Sequence, residues 1–543
     1  MRVETRSCAR RAVKKAIPTK VILMHQLKNV GDIVARSARL YGRRIAYSHN
    51  DTALDFRQLA RDADRISHQL QSVGVGRGEP VAVVLNKSLD FLRALAAILT
   101  AGAIYVPVDA KNPDDRVRYI LRDVAAKHVV TTSACVPRLS ALADAEVRFL
   151  CIDRSKEAAP AQTVLRPTQR SAAGTDIAYI IYTSGSTHMP KGVAIRHQSL
   201  LNYILETVKI YGFNERTRIL SVKSFSYDAS LTDIFCPLYS GGRVYLMDEA
   251  LIFPQVVEAS IQRYGITHIS CTPPVFKLLA YKGTLRPRIY KTMKTMSVGG
   301  DVVASEAFHK IKRSLPRIRL FNRYGPTETT VACCTYEVTR DTDPSKPIPI
   351  GKPHKNVHFR AVNEQGETIG VNERGELFIG GVQVMAGYWG TPELTAKVIS
   401  KFEDGLRYYK TSDLVTLDAN GDYVFLRRLD NIVKKNGYRI SLDEVEAAIV
   451  KGGVADECAC VFIPADDKGD LSRAKIVAYL KRGRSAKADQ EAREKLRLLL
   501  PKFMVPDVLI STERIPKDPS GKPARQLLRW EFLNGIGALG DVR

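Results

Sequence analysis

The sequence predicts an α/β protein: a large N-terminal domain of parallel α/β subdomains with a β-barrel-like part, then a small α+β C-terminal domain. Three observations predict this. Buried-strand runs alternate with helices through most of the chain, short strands and tight turns take over from about Ile348, and a compact mixed segment follows Arg428. A chain of 543 residues also exceeds what one compact core usually holds, so more than one domain is expected.

The elements can be justified in order. PVAVVLN (Pro80–Asn86) reads as a buried strand, and SLDFLRALAAILTAG as a helix stopped by Gly102. AIYVPVD is the next strand, PDDRVRYILRDVAA a helix opened by Pro113, and HVVTTS a further strand. Such alternation implies a parallel sheet with helices on both faces. The same grammar returns in RILSVKS, PQVVEASIQRYG, THISCTPP, TMSVGG and IRLFNRYG. VHFRAVNEQGETIG, GELFIGG and LVTLDANGDYVFL are short strands broken by turn residues, as in an antiparallel sheet or barrel. Beyond Arg428, SLDEVEAAIV reads as a helix capped by Ser441, ECACVFIPA and AKIVAYL as strands, and DQEAREKLRLLL as a helix. The expected spans are 24–428 and 429–530, flanked by tails at 1–23 and 531–543.

Composition narrows the class. Hydrophobic content of 45% and charged content of 26% are those of a globular protein, and no apolar run is long enough to span a membrane. The nine cysteines follow no metal-ligand spacing and read as reduced, mostly buried thiols of a cytoplasmic protein. The net charge of +25 is spread along the chain, whereas nucleic-acid binding concentrates it in a stripe or tail. Anionic small molecules, an acidic protein partner or a merely solvated basic surface all fit a diffuse excess. The first 23 residues hold seven Arg and Lys against Glu4 alone. They lack a secretory pattern, leaving a transit peptide, a disordered basic tail or a start at Met24.

The chemistry-bearing stretch is IYTSGSTHMPKGVAI, Ile181–Ile195. Its hydroxyls and backbone N–H groups can wrap polyphosphate oxygens, and Lys191 supplies a point charge. It is not a Walker loop, because the lysine precedes its glycine. YTSGSTHMPKG resembles the signature loop of the adenylate-forming superfamily, which includes amino-acid adenylation domains of nonribosomal peptide synthetases, acyl-CoA synthetases and luciferases. The resemblance continues in the family's order through LTAGAIYVPVDAKNPDDR, FSYDAS, NRYGPTETT, GELFIGGVQVMAGYW, YYKTSDLV, RRLDNIVKKNGYRISLDEVE, LPKFMVP and PKDPSGKPARQLL. It covers roughly residues 27–530.

The resemblance implies two reactions, each with its residues. A carboxylate attacks the α-phosphate of ATP to give an acyl adenylate and pyrophosphate, then a carrier-protein pantetheine thiol takes the acyl group. Thr183, Ser184, Gly185, Ser186, Thr187 and Lys191 would cradle the phosphates. Tyr324 would stack on adenine and Asn322 bond its amino edge, with Gly299, Gly325, Thr327 and Phe425 completing the nucleotide site. Glu328 would hold Mg²⁺, Asp413 the ribose hydroxyls, and Arg428 the ribose or phosphate. Lys522 would bridge carboxylate and ribose during adenylation. Asp430 would be the hinge about which the small domain swaps the face carrying Lys522 for the face carrying Lys434 and Gly437.

Within this family Asp228 of FSYDAS implies an amino acid, its carboxylate gripping the α-ammonium. Ala229, Thr232, Cys271, Met296, Val298, Arg323, Val331 and Ala332 would line the rest of the pocket. Arg323 either pairs with the carboxylate of an acidic amino acid or fills the pocket for a small one. Met296, Val331 and Ala332 also resemble D-alanine–carrier-protein ligases, from which Val298 departs. His188, Ser412 and Arg427 stand where the family has glycine. No phosphopantetheine site follows Lys522, so a freestanding enzyme loading a separate, acidic carrier is expected. The alternatives are an acyl- or aryl-CoA ligase, and a catalytically idle fold used as a scaffold or binding subunit.

Overall fold

The computed structural model describes residues 27–154, 172–184, 189–435, 438–464, 474–482, 486–517 and 523–535. The expected basic tail, Gly185 to His188, Gly437, Lys522 and the last eight residues lie outside them.

A seven-stranded sheet runs in the order 387–388, 191–196, 177–183, 104–109, 80–85, 128–131, 148–151. Its strands from Ile177–Thr183 onward pair in parallel, and Lys191–Arg196 joins antiparallel. The apolar run Pro80–Leu85 is almost wholly buried, as a strand covered on both faces must be. The crossover helix Leu89–Thr100 begins where the Ser88 hydroxyl accepts the Phe91 N–H and ends before Gly102, whose φ is 75°. Its successor Asp114–Asp123 follows Pro113 and carries Asp114 and Asp115 in its first turn, favourable against the helix dipole.

A nine-stranded sheet is parallel through 319–324, 295–299, 268–271, 218–221, 243–246 and 45–49, with antiparallel strands at both edges. Those edges depart from the all-parallel expectation. They arise where neighbours are joined without a helical crossover, by a tight turn between His49 and Thr52 at one edge and by loops through 325–333 and 339–351 at the other. Strands 357–362, 374–381, 399–401, 407–417 and 423–428 form an antiparallel sheet, bridged at Gly351–Tyr423 to the nine-stranded sheet's edge.

The remainder builds its own core. Strands Cys458–Ile463, Lys475–Lys481 and Val508–Thr512 form a sheet, over which helices Leu442–Lys451 and Ala486–Leu499 pack through Val445, Ile449 and Leu496. Ser441 caps the first of these helices as expected, accepting the Glu444 N–H. Helix Arg525–Leu533 runs past residue 530 because Leu528 and Phe532 fit a second small cluster. This part docks on the large one through a hairpin, Ile432–Lys435 and Tyr438–Ser441, and an Arg116–Glu444 ion pair of 2.8 Å with both partners largely buried. Among the described residues no helix is long and apolar enough to cross a membrane, and the eight cysteines are unpaired.

Candidate active site

The carboxyl ends of the strands in the two large sheets, the antiparallel sheet and the docked hairpin enclose a cavity of about 550 Å³. One end is built around Asp413, 1% exposed. Ser412, left-handed at φ 58°, kinks the strand Arg407–Leu417 just before it. Antiparallel register sets Asp413 opposite Arg428, whose Nη1 donates to Oδ1 at 2.8 Å, while the Tyr324 hydroxyl donates to Oδ2. Arg428 also donates to both oxygens of Asp430, at 2.7 and 2.6 Å, fixing the junction between the two parts of the chain. Lys434 extends from the hairpin to put its ammonium 5.9 Å from the Tyr324 ring centroid. Burial pushes the Lys434 pKa down, with Asp413 and Asp301 opposing it.

Glu328, 1% exposed, lies in the 3₁₀ turn Thr327–Thr329. Its carboxylate accepts two bonds from Arg439 Nη1, at 3.0 and 2.8 Å, and one from the Tyr388 hydroxyl at 2.8 Å. Burial alone would raise its pKa, but the Arg439 charge and these bonds hold it below the usual value. Lys191 opens its strand with its ammonium 5.2 Å from the Tyr388 ring. The Ser184 hydroxyl donates to the Arg439 carbonyl. With Arg439 seated, both Glu328 oxygens are engaged.

The other end of the cavity carries Asp228, at the head of the turn leading into helix Leu231–Ser240. Its carboxylate accepts from the Thr327 hydroxyl and the Ala229 N–H, and burial pushes its pKa up to about 6. Ala229, Cys271, Arg323, Val331 and Ala332 line the cavity beside it. Val331 and Thr330 are both left-handed, at φ 67° and 61°, a costly state for β-branched residues. The fully buried Gln383 holds them there: its amide donates to the carbonyls of Thr329, Thr330 and Ala332 at 3.1, 3.3 and 2.9 Å.

Comparison with known proteins decides the family. Residues 34–389 match the family described as AMP-binding enzyme, and residues 444–522 match the AMP-binding enzyme C-terminal domain. The chain belongs to the AMP-binding enzymes. It is 33% identical over 483 residues to surfactin synthase subunit 2 of Bacillus subtilis (strain 168), covering 88% of this chain but only 13% of that protein. Among solved structures, holo-PA1221, an NRPS protein containing adenylation and PCP domains, is 27% identical, with a TM-score of 0.77 over 92% of this chain and 84% of that one. o-Succinylbenzoate CoA synthetase (MenE) of Bacillus subtilis shares the fold at 21% identity, with a TM-score of 0.80 over 93% and 98% of the two chains. The resemblance to adenylation domains of the nonribosomal peptide synthetase type thus holds, and the protein is an adenylating ligase of an ATP-using family.

For an AMP-binding enzyme, most expected residues meet at this cavity. Thr183, Ser184, Gly299, Tyr324, Gly325, Thr327, Asp413, Arg428 and Lys434 line it, as do Asp228, Ala229, Cys271, Arg323, Val331 and Ala332. Others do not reach it. The Asn322 amide donates to the Pro349 carbonyl at 2.8 Å, and Asn322 is not part of the cavity wall. Phe425 packs into the core of the antiparallel sheet. Met296 and Val298 are fully buried in the core cluster behind the wall, and Thr232 lies behind the Arg323 guanidinium. Lys191 and Glu328 flank the cavity rather than line it. Among the described residues no group of three or more His, Cys, Asp or Glu could hold a metal. Glu328 alone suits a magnesium whose other ligands are substrate phosphates and water, once Arg439 withdraws.

Sequence reading passed over Arg439, Gln383 and Lys223. Arg439 stood inside the quoted NGYRISL without being singled out, and Gln383 inside GGVQVMAG. No local signal marks a buried amide as a clamp on a turn fifty residues away.

Proposed function

We propose that the enzyme activates an α-amino acid with MgATP and passes the aminoacyl group to the phosphopantetheine thiol of a carrier protein. Asp228 carries this reading. It is a carboxylate on the cavity wall with no ion-pair partner among the described residues, and an ammonium group is its natural complement. The basic surface, at a net charge of +25, suits an acidic carrier.

In the first step the substrate carboxylate attacks the α-phosphorus. The new C–O–P linkage forms as the bond to the β-phosphate oxygen breaks, and pyrophosphate leaves. Asp413 keeps lone pairs free for the ribose hydroxyls even with Arg428 and Tyr324 bonded. Glu328 would hold Mg²⁺, which would supply positive charge against the phosphates when bound, and Thr183, Ser184 and Lys191 supply donors and charge where anionic charge builds up. Lys522 bridges carboxylate and ribose in this step. Arg439 must leave Glu328 for it to proceed, so the docked hairpin belongs to the second step. There the carrier thiol, having lost its proton, attacks the acyl carbon, and AMP departs.

ATP–pyrophosphate exchange across the amino acids tests the reading. One amino acid or a few should drive exchange. Asp228→Asn should cost about 2–5 kcal/mol of binding for that substrate and little for its des-amino analogue. Exchange with des-amino acids alone, indifferent to Asp228→Asn, together with thioester formation on free CoA, would establish an acyl-CoA ligase instead. Absence of exchange with every acid would leave an idle fold.

A further inference from the structure

At the end of the cavity opposite the nucleotide, basic side chains are buried together. Arg323 is 8% exposed. Its Nη1 donates to Ser270 Oγ at 3.2 Å, its Nη2 to the Tyr203 hydroxyl, and both lie 3.4 Å from Thr232 Oγ1. The Tyr203 and Tyr211 ring centroids are 5.7 and 5.8 Å from the guanidinium carbon. No carboxylate pairs with Arg323 among the described residues. Ser270 Oγ also accepts from Lys223 Nζ at 3.0 Å, and Lys223 shares the fully buried Asp233 at 3.1 Å. Lys87 is close by, donating to the carbonyls of Ser221 and Met247 at 2.6 and 2.9 Å. Asp233 pairs with Lys223 and also acts on Lys87, which feels Glu249 and Asp248 as well, so the carboxylates here are shared by the two lysines. Arg323, Lys223 and Ser270 all line the cavity.

A guanidinium bonded only to hydroxyls in a buried site lacks the counter-charge that makes burial of an ion tolerable. Arginine keeps its charge in this setting, whereas a buried lysine can shed its proton, so the vacancy for an anion belongs to Arg323. A space-filling role would be served as well by leucine or methionine, without the charge. The opposite pole of the pocket is the Asp228 carboxylate. Asp228 heads the 3₁₀ turn that leads into helix Leu231–Ser240, and Thr232 on that helix lies 3.4 Å from both terminal guanidinium nitrogens. The anionic and cationic poles line the same cavity.

We propose that the side-chain subsite binds a carboxylate, with Arg323 as the specificity-determining residue and Ser270 and Lys223 supporting it, so that the substrate is an α-amino acid with an acidic side chain of aspartate or glutamate length. The inference rests on the amino-acid reading above. The α-ammonium meets Asp228, the α-carboxylate faces the nucleotide, and the side-chain carboxylate takes two guanidinium N–H groups now shared among hydroxyls.

The experiment is ATP–pyrophosphate exchange by the full chain with MgATP, comparing aspartate and glutamate with asparagine, glutamine, alanine and glycine, and with succinate and glutarate. One acidic amino acid should exceed its amide in kcat/KM by a hundredfold or more. Arg323→Met should erase that preference, raising KM for the acid about a hundredfold and bringing the ratio of acid to amide in kcat/KM close to one. If this variant does not fold, the wild-type ratio of each acid to its amide decides the matter. A wild-type preference for a neutral amino acid, or an Arg323→Met enzyme with unchanged ranking, overturns the inference and leaves the amino-acid reading standing. Exchange with succinate or glutarate but with no amino acid overturns both.

Discussion

Of the three positions where the family's glycine is replaced, two can be compared in the structure, and they differ. Ser412 is left-handed at φ 58°, so the missing glycine is a conformational loss there. Arg427 sits in the ordinary strand Tyr423–Arg428 and needs no glycine. Relief of left-handed strain is worth about 1–2 kcal/mol, against about 0.5–1 kcal/mol for glycine's greater freedom in the unfolded chain. Ser412→Gly should therefore stabilise the protein by up to about 1 kcal/mol in denaturant titration. Arg427→Gly should give no gain. Asp228 gives a second residue-level prediction. Because burial raises its pKa to about 6, the carboxylate is charged above that pH and neutral below it. Amino-acid kcat/KM should fall tenfold per pH unit below about 6, while the profile of Asp228→Asn lacks this acid limb. The identity of such residues was legible in sequence because charge and motif position carry it. Their bonding was not: Asn322 and Phe425 sit in the expected motifs yet face Pro349 and a core, since strand twist and packing set which neighbour a side chain meets.

Among the elements, the turn from Thr327 to Ala332 shows how strain is held at the site. Thr330 and Val331 are kept left-handed by Gln383, whose side-chain oxygen Oε1 itself accepts from the Asn202 amide at 3.0 Å. Removing the Gln383 amide leaves up to three buried carbonyls short of a donor, at about 1–3 kcal/mol for each group left unsatisfied. Gln383→Leu should lower stability by at least about 2 kcal/mol. In protein that still folds, KM for the amino acid should rise more than KM for ATP if the proposed function holds, because Val331 and Ala332 line the cavity beside Asp228. Equal changes in both constants would mean the turn does not shape the pocket. Strands and helices were readable in advance because hydrophobic period, caps and breakers are local, as Ser88, Pro113 and Ser441 illustrate. This turn was not, because its geometry depends on a side chain in another element.

At the scale of the whole molecule, one ion pair links docking to chemistry. Arg439 on the small domain's hairpin and Glu328 on the large domain are buried against each other, and Arg116–Glu444 adds a second buried pair across the same contact. With both Glu328 oxygens engaged by Arg439, the proposed role of Glu328 as a ligand of the MgATP metal requires that binding of MgATP and docking of this face exclude each other. Breaking a buried pair from one side costs about 3–5 kcal/mol, because the remaining charge stays desolvated. If the small domain withdraws for adenylation as proposed, that cost in Arg439→Met falls only on the docked arrangement, because Glu328 would then be open to water and metal. The variant should therefore keep pyrophosphate exchange at or above the wild-type rate, while transfer of the aminoacyl group from preformed adenylate to a carrier thiol slows at least tenfold. Lys522→Ala should show the mirror image, losing adenylate formation about a hundredfold while sparing transfer. Rapid-quench measurement of the two half-reactions separates these outcomes. Parallel loss of both steps in Arg439→Met, in protein of unchanged stability, would mean that the pair organises the active site as a whole and does not distinguish the two arrangements.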